Sequence, residues 1–245
     1  MSPDIPVLFR DGGLIVVHKP VGLATTAPDG GPCLVAEVQK LDPDAPQLHA
    51  LSRLDTQVSG IVCFARTAAA NLAALEARQA GTFRRRYIGL TLGHPRTEEG
   101  LWEFAIGFDP QDPRRRRALP PGSARRGGAK DAKTSYHVRA QAGDVCALDL
   151  FPHTGRTHQL RVHASAAGLP LFGDVAYGGP RRHVLQNGRV LTAPRVMLHC
   201  AHVSLPRGGT LAPLTLELHP PADFCRVFAS AGGDPRVLSE AAPQT

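Results

Sequence analysis

The stretch from Thr134 to Pro152, TSYHVRAQAGDVCALDLFP, decides the fold. Both halves carry residues suited to a pleated, half-buried surface, and Ala142-Gly143-Asp144 between them supplies turn chemistry, so the segment predicts a β-hairpin. Directly after it, HTGRTHQLRVHASAAG (153–168) has the spacing of a turn leading into a helix with Leu160 and Ala164 on one side. Before it, TFRRRYIGLTLG (82–93) and LWEFAIGF (101–108) carry strand signals. Further towards the N-terminus, Thr67 is placed to cap a helix through AAANLAALEARQA with Gly81 as its C′ residue, and GIVCFAR (60–66) is apolar enough for a buried strand. IPVLFRDGGLIVVHKP (5–20) reads as two short strands about Asp11-Gly12-Gly13, and Leu34, Val35, Val38 and Leu41 recur at helical spacing until DPDAPQ (42–47) stops them. Beyond the hairpin, RVMLHCAHVSL (195–205) and LTLEL (214–218) fit strands, and the tail after Gly232 is expected to be flexible over 233–245. Strands outnumber helices and follow one another, so the expected class is α+β with a largely antiparallel sheet, in a single domain over 1–232.

Bulk properties narrow the function. The chain has 245 residues and 42% hydrophobic content, enough for a real core. Apolar runs such as Leu14 to Val17 fall far short of the roughly 20 residues of a membrane span, and no secretory leader is evident, so a cytosolic location is expected. Five scattered cysteines without a CxxC pair suggest neither a disulfide framework nor a cysteine zinc site. The formal charge is +7, and the stretch from Asp109 to Lys133 holds six arginines and two lysines against three aspartates, or +5 of that excess. Rich in Pro and Gly, it predicts a basic loop, which beside a catalytic cleft would engage phosphates without reading sequence.

One carboxylate stands out in this basic chain. In SRLDTQVSG (52–60), Arg53 and Asp55 would share a face if the segment is extended. A lone RxD is ordinarily a surface ion pair worth about 0–1 kcal/mol. Three other segments change its meaning: KPVGL (19–23), RRRYIGLTLG (84–93) and TGRTHQLRVHASAAGLPLFGDVAYGG (154–179). In this order the four segments resemble the RluA-type pseudouridine synthases, over roughly residues 5 to 220. Two positions depart from the family's aspartate motif: Ser52 stands where histidine is usual and Val58 where threonine is usual. The resemblance implies a pseudouridine synthase-like domain with a central cleft, converting uridine within an RNA to pseudouridine, with Asp55 as the catalytic residue.

The residue types suit that chemistry. The bond from ribose to uracil N1 breaks, the base turns, and C5 rejoins the sugar, so one carboxylate at the anomeric carbon suffices, as nucleophile or as charge stabiliser. By the resemblance, Arg161 is the active-site arginine that pairs with the aspartate, Tyr87 the active-site tyrosine that stacks on uracil, and Leu160 the apolar residue that closes the base pocket. By the same resemblance Arg53 is the candidate for filling the space that an extruded nucleotide vacates or for holding its phosphate. Arg84, Arg85, Arg86, Arg114, Arg115, Arg116, Arg117 and Arg156 are candidate RNA contacts, with Arg156 either on a phosphate or bracing a turn. His153, His158 and His163, and His199 with His202, do not share a face at their spacings, which argues against a metal site and for histidines hydrogen-bonded within the fold. Asp174, in LFGDVAYGG, reads as part of a structural turn. Neither metal nor nucleotide cofactor is expected, nor an N-terminal S4-like RNA-binding domain. The expected partner is ribosomal or transfer RNA, with no membrane and no required protein partner, and the expected state is a monomer. The competing class is a non-catalytic RNA-binding or ribosome-assembly protein of the same fold, with outright hydrolysis of the N-glycosidic bond a third.

Overall fold

The computed structural model describes residues 4–27, 29–120, 128–207 and 213–240. In chain order the first half runs β1 (Val7–Arg10), β2 (Leu14–Lys19), α1 (Leu34–Leu41), β3 (His49–Ala50), β4 (Ser59–Ala65), α2 (Ala68–Gln79), β5 (Arg84–Leu92), β6 (Glu99–Trp102), β7 (Ala105–Phe108) and β8 (Arg116–Leu119). The second half runs β9 (Thr134–Ala142), β10 (Val145–Pro152), α3 (Gln159–Ala166), β11 (Arg182–Val184), β12 (Val190–Thr192), β13 (Leu198–Leu205), β14 (Leu214–Glu217) and α4 (Ala222–Ser230). The class is α+β and the pairing is mostly antiparallel, as expected. Two compact units emerge, one of residues 1–85 with 199–218, the other of 86–198 with 219–245.

In the first unit β4 is the central strand. All seven of its residues are buried, which explains why it reads as a continuous apolar run rather than an alternation. It pairs antiparallel with β2 and β3 and parallel with β13, where His199 lies opposite Ser59 and Cys200 opposite Gly60. That parallel approach dictates the glycine: a Cβ on Gly60 would sit 2.4 Å from the Cys200 carbonyl oxygen, and its φ of +128 is one L side chains rarely adopt. Thr67 caps α2 by accepting from the Ala70 amide at 3.2 Å. Asp42, fully buried at the end of α1, accepts from Arg66 Nε and Arg10 Nη2 at 2.5 Å each.

In the second unit β5, β10, β9 and β6 form an antiparallel array, with Asp149 of β10 opposite Ile88 and His137. Asp149 is fully buried and accepts from Arg86 Nη1 at 3.0 Å and from Arg139 Nε at 3.1 Å. Arg86 is therefore not an RNA contact: only 4% exposed, it is committed to an internal carboxylate. The region from Asp109 to Lys133 is not simply a loop either. Arg116 and Arg117 lie in β8, which pairs with β7 through Ile106–Ala118 and Gly107–Arg117. Cross-strand bonding and stacking of the Arg116 guanidinium 4.1 Å over Phe108 outweigh the turn-forming composition. Arg125 and Arg126 lie outside the described residues. The expected flexible tail is ordered as far as 240: Pro235–Ser239 form a 3-10 turn, Leu238 is buried, and Arg139 Nη1 donates to the Val237 and Glu240 carbonyls at 2.9 Å. Residues 241–245 lie outside the described residues.

Candidate active site

Asp55 sits in the first unit, in a non-regular stretch between β3 and β4. Its neighbours alternate as an extended chain should: Arg53 exposed, Leu54 buried, Asp55 half-buried. Leu54 is fixed at both polar ends by Thr25, whose hydroxyl donates to the Leu54 carbonyl at 2.9 Å and accepts from its amide at 3.0 Å. After Asp55 the chain turns, with the Val58 amide donating to the Asp55 carbonyl at 3.0 Å. The turn is gripped by Lys19, whose side chain is completely buried. Its Nζ donates to the carbonyls of Pro20 at 2.8 Å, Leu23 at 2.6 Å and Thr56 at 3.4 Å, and the Gly22 amide donates to the Thr56 carbonyl at 2.8 Å. KPVGL thus acts as a brace for the loop that carries the aspartate. The sequence marked the motif but not this role, although an apolar strand ending on a lysine was the available signal.

The end of SRLDTQVSG is explained by the same unit. Ser59 Oγ and His199 Nδ1 lie 2.9 Å apart, and His199 Nε2 reaches the Leu218 carbonyl at 3.3 Å. Ser52, by contrast, is 6% exposed and its hydroxyl has no hydrogen-bond partner among the described residues. Arg53 makes no ion pair or hydrogen bond among the described residues, so it is not the surface ion-pair partner of Asp55 that a lone RxD suggests. Nearby cations reinforce one another. Arg78 donates to the Leu51 carbonyl, and the Arg78 and Arg85 guanidiniums lie 5.8 and 5.6 Å from the Phe83 ring centre. Burial, then the charges of Arg85 and Arg53, hold the Arg78 pKa below its ordinary value. Such mutual repulsion favours an arriving polyanion.

The second unit holds Tyr87, Leu160 and Arg161, which are 5%, 6% and 9% exposed. Tyr87 lies in β5 opposite Leu150. Helix α3 buries six consecutive residues, Gln159 to Ala164, which goes beyond the single apolar side expected and obliges every polar member to find partners. Gln159 is saturated: its Oε1 accepts from the Thr154 hydroxyl at 2.7 Å and the Arg156 amide at 3.0 Å, and its Nε2 donates to the Lys133 carbonyl and the Thr134 hydroxyl at 3.0 Å each. Because the Phe104 carbonyl, 3.1 Å away, can only accept, His163 Nε2 carries the proton, and in the neutral ring Nδ1 then accepts from the Thr134 hydroxyl at 3.0 Å. This fixes the neutral tautomer, and burial holds the His163 pKa below its ordinary value, partly offset by the Phe104 contact.

Arg161 donates from Nε and Nη2 to the two oxygens of Asp174, each at 2.7 Å, and its guanidinium lies 4.8 Å from the Tyr177 ring centre. The Tyr177 hydroxyl accepts from the Arg116 amide at 3.0 Å and lies 2.7 Å from His158 Nδ1. His158 is the one non-glycine with a positive φ among the described residues, at 57. Asp174 is therefore more than a turn residue: it orients the arginine of TGRTHQLR. Its GD pair is equally determined, since a Cβ on Gly173 would fall 1.9 Å from the Arg195 carbonyl oxygen. Arg156 braces a turn through Nε to the Asp131 carbonyl at 2.9 Å. Arg115 lies over Tyr177, while Arg84, Arg114 and Arg117 are exposed, Arg114 bound bidentately to Asp112.

Comparison with known proteins agrees with these motifs. The family described as RNA pseudouridylate synthase matches residues 13–166. The dual-specificity RNA pseudouridine synthase RluA of Escherichia coli K12 is 30% identical over 225 residues, spanning 91% of this chain and 95% of that protein. A Bacillus subtilis protein named as the uncharacterized RNA pseudouridine synthase YhcT is 31% identical over 79% of this chain. Human RNA pseudouridylate synthase domain containing 1 superposes with a TM-score of 0.69 at 26% identity, covering 90% of this chain and 87% of that one. The chain belongs to the RNA pseudouridylate synthase family, and within it to the RluA type. It is an isomerase acting on RNA.

Proposed function

We propose that the chain converts a uridine of a structured ribosomal or transfer RNA to pseudouridine with Asp55 as the catalytic residue. The observation that carries this reading is the construction around Asp55. A fully buried lysine and a buried threonine fix the backbone on both sides of it, yet Asp55 itself is only partly buried. Such preorganisation suits a group that must meet an anomeric carbon at a defined angle.

The carboxylate attacks the anomeric carbon, or stabilises the positive charge that develops there, as the bond to N1 breaks. The freed uracil turns and bonds to the anomeric carbon through C5, releasing the carboxylate where it had bonded there, and the ring is restored as C5 loses its proton and N1 gains one. Tyr87 supplies a flat ring for the base, Leu160 an apolar wall, and Arg161 a guanidinium rigidified by Asp174. Arg53, exposed and without an ion pair among the described residues, is free to hold the phosphate of an extruded nucleotide. The cationic group of Arg53, Arg78 and Arg85 attracts the RNA backbone in a salt-dependent way.

The test is tritium release from RNA carrying 5-tritiated uridine. Wild type releases tritium and leaves the chain intact, with EDTA leaving the rate unchanged, and Asp55→Ala abolishes release while still binding RNA. Release that survives the substitution removes Asp55 from its role, and free uracil in the supernatant means hydrolysis instead.

A further inference from the structure

The chain between Gly173 and Arg195 makes a closed excursion. The Gly173 amide donates to the Pro180 carbonyl at 2.9 Å, and the Ala193 amide donates to the Arg181 carbonyl at 2.8 Å. Within it β11 and β12 pair as Arg182–Thr192, His183–Leu191 and Val184–Val190. Directly opposed residues share a face, so the His183–Leu191 pair looks to one side and Arg182, Thr192, Val184 and Val190 to the other. The first side is anchored. Asp144, in the β9–β10 turn, lies 3.0 Å from His183 Nε2 and accepts from Gln186 Nε2 at 3.2 Å, and Leu185 and Leu191 are buried. The other side is open: Val184 is 63% and Val190 49% exposed.

The hairpin is strongly cationic, with Arg182 on the open side and Arg181 and Arg189 in register with the His183–Leu191 side. From Arg181 to Arg195 the sequence holds four arginines and no aspartate or glutamate. The side chains of Arg181, Arg182 and Arg189 form no ion pair or hydrogen bond among the described residues, nor does that of exposed Arg226 on α4. Arg189 and Arg226 line a cleft of about 410 Å³ together with Leu185, Leu191, Val227 and Asp223. Asp223 does not cancel them, because Arg195 Nε and Nη2 already hold its two oxygens at 2.7 and 3.2 Å. Asp144 is likewise committed to His183 and Gln186.

We propose that the β11–β12 hairpin and the adjoining edge of α4 form an accessory docking surface for the sugar–phosphate backbone of the substrate RNA. Arg182 on the open side and Arg181, Arg189 and Arg226 towards the cleft supply guanidiniums that match phosphates, and the exposed Val184 and Val190 beside Arg182 suit ribose and base edges, which a free phosphate or nucleotide would leave uncovered. The excursion includes Asp174, seven residues before Arg181, so RNA on this surface lies along the same segment that holds Arg161. The inference rests on the reading of the chain as an RNA-modifying enzyme, and it adds a subsite outside the residues assigned to chemistry.

The test replaces the four arginines together, as R181Q/R182Q/R189Q/R226Q and as the matching lysine set, with R182Q/R189Q as a second variant should the quadruple fail to fold. KM, kcat and the dependence of KM on salt are measured on a long RNA substrate. The glutamine set raises KM about tenfold or more and flattens the slope of log KM against log salt by about 2–4, since each phosphate contact carries about 0.7–0.9. The lysine set retains most of the slope, because an ammonium serves as a point charge for phosphate. An unchanged slope and KM overturn the proposal, as does a loss confined to kcat or a hairpin that captures a protein while RNA binding is unaltered. If wild type itself releases no tritium from RNA the underlying reading fails, whereas an active wild type with an indifferent glutamine set sinks the docking surface alone.

Discussion

Replacing Asp174 with asparagine probes how Arg161 is held. The pair has two contacts of 2.7 Å, and the arginine and aspartate side chains are 10% and 1% exposed. Removing one partner from a buried ion pair costs about 3–5 kcal/mol, because the remaining charge stays in a poorly solvated place. Asparagine keeps one acceptor oxygen, so the low end, about 3 kcal/mol, is expected. Urea unfolding followed by the single tryptophan, buried Trp102, measures it. Replacing both partners with apolar residues of similar size, as R161M/D174L, should recover about 2–3 kcal/mol relative to the sum of the single changes, because no charge is stranded. On the proposed mechanism Asp174 acts in catalysis as a positioning residue for Arg161. A guanidinium misaimed by about 1 Å lowers kcat by about a hundredfold, with KM changing little. Arg161→Lys should behave like Asp174→Asn, since an ammonium cannot bind both carboxylate oxygens in parallel. An Asp174→Asn protein within about 0.5 kcal/mol of wild type, with unaltered kcat, refutes the argument.

Lys19→Met strands the Pro20 and Leu23 carbonyls and should cost about 2–4 kcal/mol in urea unfolding, with kcat falling as the Asp55 loop loosens. Ser52→Ala removes a buried hydroxyl that has no partner among the described residues and should leave stability unchanged or raise it by about 1 kcal/mol, measured the same way. Arg53→Ala should shift stability by less than about 0.5 kcal/mol yet raise KM for RNA, a separation that an internal structural role would not produce. His163 has a folded pKa below its ordinary 6.5, so the unfolded chain binds more protons on acidification, and stability is full above that value and declines as pH falls below it. Unfolding of His163→Gln across pH 5 to 8 should lack that part of the acid decline.

Most of the elements were legible because their signals were local. The hairpin of β9 and β10, the Thr67 cap and the apolar run of β4 each announce themselves within a few residues. Helix α4 and the β11–β12 hairpin were not foreseen, because ADFCRVFAS is short and RHV and VLT offer only three strand residues each. Strand β8 was masked by arginine and proline, and its partner β7 alone determines it. Among candidate site residues, Asp55 and Arg161 are singled out by motif, but Thr25 acts on Leu54, Asp174 on Arg161 and the longest reach of Lys19 on Thr56, all distant in the chain. No spacing rule reaches that far.

The same limit explains why sequence alone does not separate structural carboxylates from a reactive one in so basic a protein. Asp42, Asp149 and Asp174 are each at most 1% exposed and receive guanidinium hydrogen bonds on both oxygens. A carboxylate held in that way has no path to a sugar. Asp55 differs in burial rather than in local sequence: it is only partly buried, on a backbone fixed by Thr25 and Lys19. Accessibility combined with a rigid mount is what the proposed attack at carbon requires of Asp55, whereas guanidinium partners are what let Asp42, Asp149 and Asp174 be buried at all.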